Sequence, residues 1–75
     1  MKYEISLYCN SGFGVDRYTT NKRIAMKEAR DLQGSANAGD SSAKIVVYAL
    51  GNGPEPKPIA RWGQTTGGRW YRAAL

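Results

Sequence analysis

The chain predicts a layered α+β fold: an antiparallel-rich sheet of about five strands with one α-helix packed on one face, in the order β-β-α-β-β-β. Three observations point there. Only residues 19–34 carry a helical period, residues 2–9 alternate between apolar and polar side chains, and residues 43–50 form a run rich in β-branched side chains. At 75 residues the chain is long enough for a single domain spanning 1–75 with one small core, and short for a deep catalytic cavity.

The helical segment, TTNKRIAMKEARDLQG, organises the rest. At about 100° per residue, Ile24, Ala25, Ala29 and Leu32 fall on one side as a narrow apolar stripe. Arg23, Lys27 and Arg30 gather on the opposite side, where they form a basic ridge facing water. Thr20 or Asn21 can cap the first turn, and Gly34 can close the last in the left-handed conformation. The ridge costs the isolated helix a little, because Arg23 and Lys27 repel at i, i+4.

The first strand covers residues 2–9, with Tyr3, Ile5, Leu7 and Cys9 on one face and Lys2, Glu4, Ser6 and Tyr8 on the other. Asn10, Ser11 and Gly12 turn the chain into a second strand, Phe13 to Thr19, in which Phe13 and Val15 share the inward face. After the helix, SANAGDSS reads as a connection, and Ala43 to Leu50 as the central strand, apolar on both faces. The prolines of GNGPEPKP, residues 51–58, predict a stiff loop outside the ladder. Ile59 to Gln64 and Arg69 to Leu75 form the last hairpin about Thr65, Thr66, Gly67 and Gly68. One of its tryptophans belongs in the core: Trp70 on the first assignment of faces, Trp62 if the faces of the hairpin are reversed.

Eleven Lys and Arg against six Asp and Glu leave a net charge of +5. Two readings of this excess stand side by side: attraction to an acidic protein patch or nucleic acid, and plain solubility. A single cysteine, Cys9, forbids an internal disulfide, and the lack of histidine leaves a zinc site short of soft ligands. No metal and no cofactor is therefore expected. Without histidine, Cys9 and the Ser and Thr hydroxyls lack their usual base, so the expectation is a protein that is not an enzyme. Gly12-Phe13-Gly14 lacks the third glycine and following helix of a dinucleotide fingerprint and reads as a hairpin turn. The alternating opening MKYEISLYC is unlike a signal peptide, and no run approaches the length of a membrane span, so a soluble cytoplasmic protein is expected.

The C-terminal stretch carries Lys57, Arg61, Arg69 and Arg72 with no acid, interleaved with Trp62, Trp70 and Tyr71. Arginines among aromatic rings on strands serve base stacking and phosphate binding, and equally serve protein hot spots. By alternation Trp70, Arg72 and Ala74 share one face, and Arg69, Tyr71 and Ala73 the other.

Two local motifs, Lys22-Arg23-Ile24-Ala25-Met26-Lys27-Glu28 and Gly67-Gly68-Arg69-Trp70, resemble the small phage anti-CRISPR inhibitors of type I-F surveillance complexes. The resemblance implies a non-enzymatic, phage-encoded inhibitor, acting in the cytoplasm of a bacterial host, that binds CRISPR-Cas effector subunits and blocks target DNA access. It carries Lys22, Arg23, Lys27 and Arg69 over as candidate contacts. The chain departs from that pattern in its proline loop at 54–58 and its linker at 35–42, both longer. Together the two readings nominate Lys22, Arg23, Lys27, Arg30, Arg61, Arg69 and Arg72 as the partner-binding set, on a monomer or weak dimer. The alternative is a direct nucleic-acid binder using a basic and aromatic sheet face.

Overall fold

The computed structural model describes residues 1–9, 14–36, 39–51 and 53–75, with Val15 described by its backbone. Its elements are β1 (Lys2–Tyr8), β2 (Gly14–Thr19), α1 (Lys22–Leu32) running into a 3-10 turn (Gln33–Ser35), β3 (Lys44–Leu50), β4 (Lys57–Gln64) and β5 (Trp70–Ala73). The strands form one antiparallel sheet in the order β2-β1-β3-β4-β5, and the helix packs on one side of it. This is the α+β layout expected from the sequence. Phe13 and the Asn10-Ser11-Gly12 turn lie outside the described residues.

Alternation and register decide what each face carries. Cross-strand partners point the same way, so the pairs Ile5–Val47, Val47–Ala60, Leu7–Ile45 and Ile45–Trp62 lay two apolar rows across β1, β3 and β4. Ile5, Leu7, Ile45, Val47 and Ala60 are fully buried in these rows, and Ala25, Ala29 and Leu32 close over them. The two alanines lie one turn apart, and their small side chains let the helix backbone come close to the sheet.

Helix α1 begins at Asn21, whose Oδ1 accepts from the backbone N–H groups of Arg23 at 2.9 Å and Ile24 at 3.2 Å. Gly34 does not take the left-handed role expected of it. The helix tightens into the 3-10 turn instead, with the Gln33 N–H donating to the carbonyls of Arg30 and Asp31, and positive φ among the described glycines occurs at Gly39 and Gly68. The expected core stripe also needs correction at Ile24, which is 46% exposed while Met26 packs on the core. The buried arc is centred on Ala25, Ala29 and Leu32. Ile24 lies on its far flank, beside the ridge, and Met26 takes the near one.

Two corrections concern the last third of the chain. Lys57 and Pro58 belong to β4 although the proline segment was expected to stay outside the ladder; a register shift between Val47 and Tyr48 accommodates them. Strand β5 pairs only with Arg61–Gln64, so Pro58, paired with Tyr48 on its inner side, has no strand on its outer side, and a bulge beside an edge is where proline is tolerated. The hairpin turn is held by the Gly68 N–H donating to the Thr65 carbonyl at 3.0 Å and by Thr65 Oγ1 accepting from the Arg69 N–H at 3.1 Å, with Gly68 at φ 85°. Of the two tryptophans, Trp62 is the buried one, at 9% exposure, and Trp70 is half-buried against the core.

Because Trp62 fills the second apolar row and Trp70 only flanks it, we expect Trp62→Ala to cost about 3 kcal/mol of stability. Trp70→Ala should cost less than half as much. Urea unfolding of the two variants checks the order, and the reverse order would relocate the end of the core.

Candidate functional site

Four of the nominated cations lie on α1, and all four are exposed. Arg23, Lys27 and Arg30 share the face turned away from the sheet, because the buried Ala25, Ala29 and Leu32 fix the opposite one. Lys22 stands at the helix start. Lys22 and Arg23 occupy a first turn that holds no acid, against the preference of the helix dipole for negative charge there. That arrangement works against helix stability.

The ion pair found among the described residues is elsewhere. Arg17 of β2 points to the helix side, since it pairs with Ile5, and it meets Glu28 on the flank of α1. Both side chains are partly exposed, so the bridge fixes the helix over the sheet edge more than it stabilises the fold. Glu28 is thereby engaged away from the ridge. Among the described residues no carboxylate forms an ion pair with Arg23, Lys27 or Arg30.

The three C-terminal arginines do not join this surface or one another. Arg72 pairs with Trp62 on the helix side of the sheet, in the edge strand beyond the helix footprint. Its Cζ lies 4.9 Å from the Trp62 ring centroid, so the guanidinium covers the indole that the helix leaves uncovered. Arg61 pairs with Val46 and Ala73 and points to the opposite face. Arg69 is exposed in the hairpin turn. The seven nominated residues therefore divide into a helix ridge, a turn, and two arginines on opposite sides of β4 and β5. The alternation expected for Trp70 with Arg72, against Tyr71 with Ala73, is the one observed.

The basic and aromatic sheet face of the alternative reading draws on the C-terminal stretch, with Arg61 and Tyr71, and not on the tyrosines and lysines of β1, β2 and β3. The sheet face opposite the helix carries Tyr8, Tyr18, Tyr48 and Tyr71, with Lys2, Lys44 and Arg61 among them. The alternation of residues 2–8 already set Tyr8 away from the core. What could not be read without the register is that Tyr48 and Tyr71 stand on the same side. Tyr8 and Tyr48 flank the Ser6–Val46 pair and their hydroxyls meet at 3.2 Å, which accounts for the burial of Ser6 and Val46 on a face no helix covers. The carboxylates of this face are both engaged: Glu4 Oε2 accepts from the Tyr18 hydroxyl at 3.0 Å, and Asp16 Oδ1 from Ser6 Oγ at 2.7 Å.

Hydrogen bonding shifts these phenols. The bond with Tyr8, followed by partial burial, pushes Tyr48 up to about 12, and the bond to Glu4 raises Tyr18. Cys9 is raised mainly by burial, with Asp40 adding to it, which keeps the thiol protonated and poorly nucleophilic at neutral pH.

No protein-family model, no curated protein and no solved structure matches the chain.

A phenol raised in the folded state favours folding while it stays protonated. The Tyr48 contribution is thus fully present below about pH 10, the unfolded value, and is lost as pH rises towards 12. We expect ultraviolet titration of the folded protein to show a tyrosine ionising near 12, and Tyr8→Phe to bring that step down. A Tyr8→Phe titration identical to that of the parent would break the link between the two hydroxyls.

Proposed function

We propose that the protein is a non-enzymatic binding protein that docks the Arg23, Lys27 and Arg30 ridge, with Lys22 beside it, onto an acidic surface of a larger assembly. The observation that carries this reading is the ridge itself: three exposed cations on one face of a helix anchored by its alanines, and no ion pair to any of them among the described residues. A rigid helix backbone orders no further on docking, and the cations it carries speed encounter with an oppositely charged partner. Ile24, exposed on the flank of the ridge, adds an apolar contact that an acidic protein surface can bury and a phosphate backbone cannot. This favours a protein partner for the ridge.

The KRIAMKE and GGRW motifs direct the choice of partner. In the specific form of the proposal, the protein is a phage-encoded inhibitor, working in the cytoplasm of a bacterial host, that occupies CRISPR-Cas effector subunits and keeps target DNA from pairing with the guide. Arg69, exposed in the turn that follows Gly67 and Gly68, is the second contact implied by the motif.

Reversing the ridge with Arg23→Glu, Lys27→Glu and Arg30→Glu should leave the fold intact, since all three side chains face water. We expect binding to a purified type I-F surveillance complex to fall at least tenfold, read by co-purification and by recovery of target cleavage. If the parent protein is not retained by that complex, the specific partner is wrong. If another assembly from a bacterial lysate retains the parent and the reversed ridge equally well, the ridge is a solubility feature.

A further inference from the structure

We propose a second binding surface: the sheet face opposite the helix, at Tyr8, Lys44, Arg61 and Tyr71, takes single-stranded nucleic acid, stacking bases on the two tyrosines and holding phosphates on the two cations. The proposal stands independently of the helix ridge, which lies on the other side of the sheet.

Register brings the four residues together. Tyr8 pairs with Lys44, Lys44 with Gly63, and Gly63 with Tyr71, so ring, cation, glycine and ring follow one another across β1, β3, β4 and β5. Arg61 lies on the same face two residues before Gly63. Three strand spacings separate the rings' attachment points, roughly 14 Å at about 4.8 Å each, a span that a few unstacked nucleotides cover.

The glycine decides how Tyr71 is presented. A Cβ at position 63 would lie 2.7 Å from the Tyr71 hydroxyl oxygen and 2.8 Å from Cζ, so the ring occupies the space where a side chain would stand. It folds down over the backbone instead of rising from the sheet. Tyr71 nevertheless remains 50% exposed and Tyr8 40%, so each ring offers surface to a flat partner. The Lys44 ammonium lies over the Tyr8 ring, 5.3 Å from its centroid, so a base that stacks on this ring takes its place and leaves the cation beside it for a phosphate.

Charge selects the occupant. The part of this face formed by β3, β4 and β5 carries Lys44 and Arg61 and no carboxylate among the described residues, while Glu4 and Asp16 on the β1 and β2 part are held by Tyr18 and Ser6. Exposed rings between exposed cations suit a polyanion with flat, apolar units. A duplex hides those units inside its stack.

Fluorescence anisotropy with labelled oligothymidylate and oligouridylate of about twelve nucleotides, and a duplex of equal length, tests the proposal. We expect micromolar binding of at least one single strand at low salt, with the duplex at least tenfold weaker; the thymidylate and uridylate arms tell DNA from RNA. Tyr8→Leu with Tyr71→Leu should lower single-strand affinity tenfold or more, and Gly63→Ala, which moves the Tyr71 ring without deleting it, should lower it as well. Lys44→Gln with Arg61→Gln, both at exposed positions, keeps the test decisive should the tyrosine variants unfold. It should reduce the slope of log affinity against log salt by about 1.4. Single-strand binding no better than duplex binding overturns the proposal, as does an unchanged salt slope in the glutamine variant. So does loss of oligonucleotide binding on reversing the helix ridge but not on changing this face, or a protein partner lost with the tyrosines while no oligonucleotide binds.

Discussion

The close approach of Ala25 and Ala29 to the apolar rows of β1 and β3 is the contact on which the remaining architecture depends. One helix of eleven residues lies mainly over the β2, β1 and β3 side of a five-stranded sheet. What it does not reach must be protected locally. Arg72 shields Trp62 on the near side, and the Tyr8 and Tyr48 rings shield Val46 and Ser6 on the far side. These small devices let a chain too short to cover both faces of its sheet bury enough apolar surface to fold.

The same packing fixes where charge can go. With Ala25, Ala29 and Leu32 committed inward, Arg23, Lys27 and Arg30 have no choice but solvent, and Glu28 turns to Arg17 on the flank instead of to the ridge. A basic face with no structural duty in the core is free to serve recognition. Its cost appears at the helix start, where cations replace the acids a stable first turn prefers.

Much of this was legible in the amino-acid order. Period-2 alternation in residues 2–8 sorted Ile5 and Leu7 from Ser6 and Tyr8 correctly, and the β-branched run of Lys44–Leu50 marked the middle strand. The helix and its ridge were equally plain from a 3.6-residue period. The failures share one cause, that local pattern says nothing of partners distant in sequence. Ile24 matched the stripe yet lies outside the arc that meets the sheet, Pro58 entered a strand because its edge has no neighbour, and Trp62 outranks Trp70 because it pairs with Ile45. Arg61, Arg69 and Arg72 are near in sequence and separated in space by the pleat and the turn. The tyrosine face was hidden for the converse reason, since Tyr8, Tyr48 and Tyr71 meet only once the strand order is known.

Pro58 has a bearing on how this molecule behaves among its own copies. Where β5 stops short, the outer side of β4 exposes backbone that another molecule's strand could extend into a continuous, fibre-forming ribbon. A proline withholds a donor at the place such an intruder would have to bond, and Lys57 next to it brings like charge against like. The irregular start of that strand is thus a poor template for a copy of itself at this edge of the sheet.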